Sequence, residues 1–126
     1  MRVLLGCTDL FFSARIAETA RHTGAEVIQV RERLAEAAQR EAPDLILVDL
    51  HAEALDPVAA IASIRSRDPG VRIVAFVRHE EAERVRAARA AGATEVHARG
   101  AFSARLPALL SPEGKGSGSP PAGPRS

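Results

Sequence analysis

The sequence predicts an α/β domain in which five parallel strands alternate with five helices. Short apolar runs recur along the first 110 residues, separated by segments with apolar residues at helical spacing. One run, residues 45–48, is apolar at all four positions, which is typical of a strand buried on both faces. Regular strand–helix alternation predicts a parallel sheet covered by helices on both sides. For this length we expect a flavodoxin-like (βα)5 three-layer sandwich with strand order 2-1-3-4-5.

The first two strand–helix units are read from residues 3 to 42. Residues 3–5 form the first strand. Apolar residues at a spacing of four then predict helix 1: Phe12, Ile16 and Ala20. Gly24 ends this helix, and residues 27–30 form the second strand. The apolar face of helix 2 is made by Leu34, Ala37 and Ala38. This helix must end before Pro43, because a proline disfavours helical backbone at the residue before it.

The third unit begins with the buried strand at residues 45–48, which Asp49 follows directly. Asp56 is predicted to cap helix 3, with Pro57 at its first position. The inner face of that helix is formed by Val58, Ile61 and Ile64. The turn at residues 68–70 leads into a fourth strand at residues 71–77. These boundaries place Asp49 at the carboxyl end of a central strand.

The last two helices differ in the strength of their signals. Residues 80–91 carry acids first and arginines later, which suits the dipole of helix 4, and Gly92 ends it. Residues 96–98 form strand 5. Ser103 is predicted to cap a short helix 5 that ends near Leu110. Pro107 weakens this helix, so we expect the leucines there to be partly exposed: Leu106, Leu109 and Leu110.

Composition limits the functional classes. The chain has 126 residues, 46% of them apolar, which suits one domain at residues 1–110. Residues 111–126 are almost entirely Gly, Ser, Pro and charge, and predict a disordered tail. The net charge is +1, from 17 basic and 16 acidic residues, which disfavours nucleic acid as a partner. A single cysteine and no long apolar run predict a cytoplasmic protein without a membrane segment or an internal disulfide.

The order of these segments resembles a known signalling family. Four segments are similar to response-regulator receiver (CheY-like) domains. They are PDLILVDL, which ends near Asp49, the helix start at Asp56–Pro57, IVAFVRH at strand 4, and ARAAGATEVHARGAF around strand 5. The similarity covers roughly residues 2 to 110. It implies a non-enzymatic module of a two-component phosphorelay, with a histidine kinase upstream. In that family an aspartate accepts a phosphoryl group, with Mg²⁺ bound by neighbouring acids.

Only the acceptor of that site is matched without change. Asp49 stands at the phosphoacceptor position, and Arg99 stands where the family has a lysine that contacts the phosphoryl group. The metal-binding acid pair aligns with Cys7 and Thr8, whereas a shift of one residue places Asp9 in that pair. Both alignments remain open. Val77 replaces the hydroxyl residue of strand 4, and Val96 replaces the switch aromatic of strand 5. The resemblance is therefore to a degenerate pseudo-receiver.

Two functional readings follow from the resemblance. The first is an atypical receiver that acts as a protein-interaction module with impaired or absent phosphorylation, in which Asp49 pairs with a cation such as Arg99. The alternative is a working phosphorelay receiver, phosphorylated on Asp49 with Mg²⁺ held by Asp9 and Asp49. In both readings the partner, another protein or a second copy, binds the face formed by helix 4, strand 5 and helix 5. The residues expected on that face are Arg84, Arg89, Leu106, Leu109 and Leu110.

Two further candidates are local. The histidines at or near strand ends, His51, His79 and His97, could in principle join Asp9, Asp49 and Cys7 around a transition metal, but their spacing matches no established zinc pattern. Asp9 is equally well suited to cap helix 1.

Overall fold

A computed structural model describes residues 1–79 and 81–111 and confirms the predicted sandwich. The strands are β1 (Arg2–Gly6), β2 (Glu26–Val30), β3 (Leu45–Asp49), β4 (Arg72–Val77) and β5 (Glu95–Ala98). The helices are α1 (Leu10–Thr23), α2 (Leu34–Glu41), α3 (Pro57–Arg67), α4 (Ala82–Ala91) and α5 (Arg99–Leu109). The strands pair in parallel in the order β2-β1-β3-β4-β5. The predicted disordered tail lies, from residue 112 onward, outside the described residues.

The sheet separates two apolar cores. Alternate residues of β1, β3 and β4 point to opposite faces, so Ile46 and Val48 pack towards α2, α3 and α4. Leu45 and Leu47 pack towards α1 and α5 instead. The second core contains a ring cluster in which Phe76 stacks on Phe102 with centroids 4.5 Å apart. Three of the four phenylalanines, Phe12, Phe76 and Phe102, are thus concentrated under one face of the sheet.

The start and the burial of α5 differ from the sequence prediction. The helix begins at Arg99, directly after β5, instead of at a Ser103 cap. Pro107 lies inside it, where it removes one backbone hydrogen bond. Leu106, Leu109 and Leu110 are buried, with at most 4% of their surface exposed, so the expectation of an exposed leucine patch is wrong. The reason is that the earlier start of the helix includes Phe102, which anchors α5 in the ring cluster.

Smaller differences occur at two other helix starts. Asp56 precedes α3, and Pro57 is its first residue as predicted, but the Asp56 side chain makes no capping hydrogen bond. Its backbone is left-handed, with φ 47°, because it also ends a short 3-10 helix at Glu53–Leu55 that the sequence pattern did not indicate. Helix α4 begins at Ala82, two residues later than predicted. Within the described residues, no helix is long and apolar enough to cross a membrane.

Arg65 connects α3 to the turn after α4. Its Nε donates to the carbonyl of Gly92 at 3.0 Å, and its Nη2 donates to the Thr94 hydroxyl at 3.2 Å. Its Nη1 donates to the carbonyl of Pro69 at 2.9 Å. A Cβ on Gly92 would lie 2.7 Å from Cγ of Arg65, and the φ of Gly92 is +120°. Because residue 92 has no side chain, Arg65 can lie close enough to hydrogen-bond both to the turn after α3 and to the turn after α4.

Gly92→Ala is expected to lower the free energy of unfolding by about 2–4 kcal/mol, because backbone strain and overpacking act together. Gly100→Ala is the matched control, since a Cβ there has nothing within 4 Å and φ is not positive. That control should change stability by less than about 1 kcal/mol. Urea denaturation of both variants measures the difference, and equal stability would contradict the assigned role of Gly92.

Candidate functional site at the carboxyl edge of the sheet

The candidate site lies where β1, β3 and β5 end. The loop after β1 carries Asp9, β3 ends at Asp49, and α5 starts at Arg99. Because all strands are parallel, these ends meet at one edge of the sheet. Arg99 contacts both acids: Nη1 donates to Oδ2 of Asp9 at 3.1 Å, and Nη2 lies 3.9 Å from Oδ2 of Asp49. Two of the acids singled out in the sequence, Asp9 and Asp49, are therefore brought together by one guanidinium group.

Asp49 is the most deeply buried acid of the site, with only 3% of its surface exposed. Its Oδ1 accepts a hydrogen bond from the backbone N–H of His51 at 2.9 Å. Its Oδ2 accepts a weaker one from the thiol of Cys7, with Sγ 3.6 Å away. A buried carboxylate needs such partners and a counter-charge. Asp49 receives the counter-charge from Arg99.

Arg99 is held by stacking as well as by charge. Its guanidinium carbon lies 4.1 Å from the centroid of the Phe12 ring and 6.0 Å from that of Phe76. A guanidinium over a ring face is attracted by the ring quadrupole, while its edge stays free to donate hydrogen bonds. Nε of Arg99 is buried and has no hydrogen-bond partner. The position of the group is thus set by the ring below it and the carboxylates beside it.

Asp9 caps α1 and pairs with Arg99 at the same time. Its Oδ1 accepts the backbone N–H of Phe12 at 3.0 Å, which satisfies one free donor of the helix start. The pKa of Asp9 is held below its ordinary value, first by this hydrogen bond and then by the guanidinium of Arg99. Asp9 therefore stays ionised at neutral pH, and its carboxylate is committed to two roles within the chain.

The site does not fit a divalent metal ion in this arrangement. All four oxygens of Asp9 and Asp49 already lie beside protein donors, and Arg99 contributes a positive charge to both groups. Two unit charges of the same sign about 4 Å apart repel by about 4 kcal/mol at an effective dielectric constant of about 20, and a divalent ion doubles that cost. In residues 1–79 and 81–111, no three His, Cys, Asp or Glu side chains form a group able to hold a metal. The histidine-based transition-metal reading therefore finds no support.

Cys7 and Thr8 occupy the other alignment of the acid pair. The Cys7 side chain is fully buried, and burial raises the pKa of its thiol, which keeps it protonated as a donor to Asp49. Gln29 fixes the loop from the other side, with Nε2 donating to the Cys7 carbonyl and to the Ser13 hydroxyl, both at 2.9 Å. Thr8 is partly buried. Cys7 thus supports the Asp49 carboxylate instead of providing a second acid.

Val77 and Val96 lie in the apolar core next to the site. Val77 ends β4 and is 1% exposed, and Val96 of β5 is 8% exposed. Both belong to the same apolar cluster, which also contains Ala88 of α4. Neither side chain has a group that can donate or accept a hydrogen bond. The space between the end of β4, β5 and α4 is therefore packed with apolar side chains.

A polar connection runs from Asp49 to α4 that the sequence pattern did not indicate. His51, whose backbone binds Asp49, has its Nε2 3.2 Å from Oε2 of Glu81, although the two do not form a hydrogen bond. Glu81 in turn accepts a hydrogen bond from Nε of Arg84 at 2.9 Å. Nη1 of Arg84 donates to the carbonyl of Leu50 at 3.0 Å. Burial, with help from the charge of Arg84, lowers the pKa of His51, so the ring is neutral at pH 7.

The residues that were expected on the interaction face differ in how exposed they are. Arg84 is turned partly inward and fastens α4 to the loop after β3, whereas Arg89 is exposed. The three leucines of α5 belong to the core, as described above. The largest exposed apolar side chains among the described residues are Leu10 and Phe11, at the start of α1 beside the site. Their positions in an otherwise ordinary helix pattern gave no sign of this exposure.

The sheet order, the five helices and the placement of the site together define the fold of response-regulator receiver domains. A similar solved structure is a response regulator from Burkholderia pseudomallei with a phosphorylated aspartic acid, calcium ion and citrate. Its TM-score is 0.75 at 21% identity, over 94% of this chain and 71% of that one.

Two further structures have the same fold. The Mn²⁺-bound form of the response regulator Rcp1 gives a TM-score of 0.70 at 18% identity, over 86% of this chain and 90% of that one. The orphan response regulator HP1043 of H. pylori gives 0.68 at 18% identity, over 87% and 96%. No protein-family model and no curated protein matches the sequence. At these identities the likeness establishes the fold.

Proposed function

We propose that this domain is a non-catalytic signalling module that binds another protein, or a second copy of itself, without depending on phosphorylation of Asp49. The observation that carries the proposal is the buried Val77 at the end of β4. In the receivers that the sequence resembles, a hydroxyl at this place moves towards the phosphoryl group. A valine has nothing with which to bind a phosphoryl oxygen. A phosphoryl group on Asp49 would therefore lack the contact that changes the outer surface.

The contacts of α4 support a fixed surface. Arg84 binds the Leu50 carbonyl, and Glu81 lies against His51, so the start of α4 is already attached to the loop that follows Asp49. The start of α4 is held by these polar contacts, and the space behind it is packed with apolar side chains. Phosphorylation of Asp49 would therefore find little in this region that can move. We infer that the α4–β5–α5 face has one working conformation.

The exposed arginines of that face define its chemistry. Arg86, Arg89 and Arg105 lie on the outer sides of α4 and α5. Arg86 pairs with Glu83 of the same helix. Because the leucines of α5 are buried, the exposed surface of this face consists mainly of charged side chains and backbone, with little apolar area. An acidic protein partner or a homodimer with a polar interface is therefore the proposed occupant.

Incubation with acetyl phosphate and Mg²⁺ is expected to leave the intact mass of the protein unchanged, as in the Asp49→Asn control. Light scattering before and after treatment should give the same oligomeric state. Mass spectrometry of both proteins is the measurement. A stoichiometric phosphoryl adduct on the unaltered chain, absent from Asp49→Asn and accompanied by a change of oligomeric state, would establish the alternative, a working phosphorelay receiver. The position of Asp49 at the carboxyl end of β3, where the receivers that the sequence resembles have their acceptor, is the observation that favours this alternative.

A further inference from the structure

We propose that Arg99 is a built-in counter-ion that takes the place of a divalent metal ion at Asp9 and Asp49. The proposal concerns the cation of the site and does not depend on what the α4–β5–α5 face binds. Its basis is that each of the four oxygens of the two carboxylates already lies beside a protein donor, and that Arg99 places a positive charge next to both groups. On this reading the wild-type chain binds neither Mg²⁺ nor Mn²⁺ at this edge of the sheet.

The geometry gives Arg99 the role that a metal ion would have. One guanidinium reaches Asp9 through Nη1 at 3.1 Å and Asp49 through Nη2 at 3.9 Å. It therefore links the loop after β1 to the end of β3, which is what a bridging cation does with two acids. A guanidinium is a planar cation with separate donors, so it can serve two carboxylates at once.

The surroundings of Arg99 keep it in that position. The Phe12 ring lies beneath its guanidinium at 4.1 Å, and only 24% of the side chain is exposed. Its backbone is the first residue of α5, immediately after β5, so no loop lies between the strand and this side chain. Moving the charge away would leave Asp49, at 3% exposure, without a counter-charge. A metal ion from solution would have to displace a cation that is covalently part of the chain.

The two carboxylate oxygens of Asp9 have different partners. Its Oδ1 is occupied by the first turn of α1 through the N–H of Phe12, which leaves Oδ2 as the oxygen that faces the site. That oxygen is the one that accepts from Arg99. Removal of the guanidinium would therefore free one oxygen of Asp9 and one side of Asp49 together. The structure thus predicts a divalent-ion site that exists only when the charge at residue 99 is removed.

The test uses Mn²⁺, whose free form gives an electron paramagnetic resonance signal that disappears on binding. Titration of wild-type protein is expected to leave the signal of free Mn²⁺ unchanged. Arg99→Met keeps an unbranched apolar stem against Phe12 but has no charge, and it is expected to bind Mn²⁺ at least about ten-fold more tightly than wild type. Adding Asp49→Asn to Arg99→Met should abolish the gain.

Arg105→Met is the matched control, because it removes one arginine from the exposed side of the same helix. It should gain no Mn²⁺ binding, and a gain equal to that of Arg99→Met would overturn the proposal by showing that net charge alone is responsible. Wild-type binding that Asp49→Asn abolishes would also overturn it, as would an Arg99→Met protein that folds and binds no Mn²⁺.

A thermal readout covers the case in which Arg99→Met does not fold. Arg99→Gln then replaces it, and melting is followed by circular dichroism in Mn²⁺ and in EDTA. At about ten times its dissociation constant, Mn²⁺ should raise the melting temperature of the variant by on the order of 5 °C, with no shift for wild type. An equal shift in both proteins would contradict the assignment of Arg99 as the resident cation.

Discussion

Phe102→Ala is expected to lower the free energy of unfolding by about 3–5 kcal/mol, the largest loss foreseen for a single truncation in this domain. Phe102 is fully buried, stacks on Phe76 at 4.5 Å and lies 5.9 Å from Phe12. It is the residue by which the first half of α5 enters the core. Because small domains are stable by only about 5–15 kcal/mol in total, the variant is expected to be close to unfolding at 37 °C.

Phe11→Ala is the matched control for this truncation, because Phe11 is 87% exposed and precedes Phe12 on the same helix. Its removal should change stability by no more than about 0.5 kcal/mol. Chemical denaturation followed by circular dichroism compares the two variants. A loss below about 1 kcal/mol for Phe102→Ala would mean that α5 is not anchored by this ring.

Arg99→Glu is expected to lower the free energy of unfolding by a similar amount, about 3–5 kcal/mol, for an electrostatic reason. The substitution removes the counter-charge of the buried Asp49 and adds a third carboxylate between Asp49 and Asp9. Like charges in a poorly solvated site repel strongly, and Phe12 loses the cation that covers its ring. Denaturation at neutral pH measures the loss.

The control for this reversal is Arg105→Glu, which makes the same change of charge on the exposed side of α5 and should cost less than about 1 kcal/mol. The pH dependence gives a second check. In wild type the pKa of Asp9 is lowered by folding, so its contribution to stability is present above about pH 4 and is lost as the pH falls further. The deficit of Arg99→Glu should therefore shrink in acid. A deficit that does not change down to pH 3 would argue for a packing defect.

The layout of the sheet could be predicted from the sequence because it depends on local patterns, such as apolar runs and glycines at helix ends, that can be read directly from the residues. The apolar run at residues 45–48 is buried on both faces as expected, and Gly24 and Gly92 end α1 and α4. The start of α5 could not be predicted in this way, because Arg99 and Gly100 carry no helix signal of their own. The helix is fixed there by the long-range contact of Phe102 with Phe76.

The site was only partly predictable for a related reason. Strand order alone placed Asp49 and Arg99 at one edge, so their pairing could be expected. The role of Phe12 beneath the guanidinium could not, since it requires the side-chain direction of a residue 87 positions away. The inward turn of Arg84 was equally hidden, because a helix with alternating charges reads as solvated unless a carbonyl such as that of Leu50 is known to lie beside it.

Because α5 follows β5 without a loop, Arg99 is both a residue of the site and the first residue of the outer helix. Ala98 is the last residue of the strand and Arg99 the first of the helix, so no flexible segment can absorb a displacement between them. A partner bound to the α4–β5–α5 face would therefore hold a helix whose first residue pairs with Asp9 and Asp49, so its contacts and the ion pairs of the site would stabilise the same element.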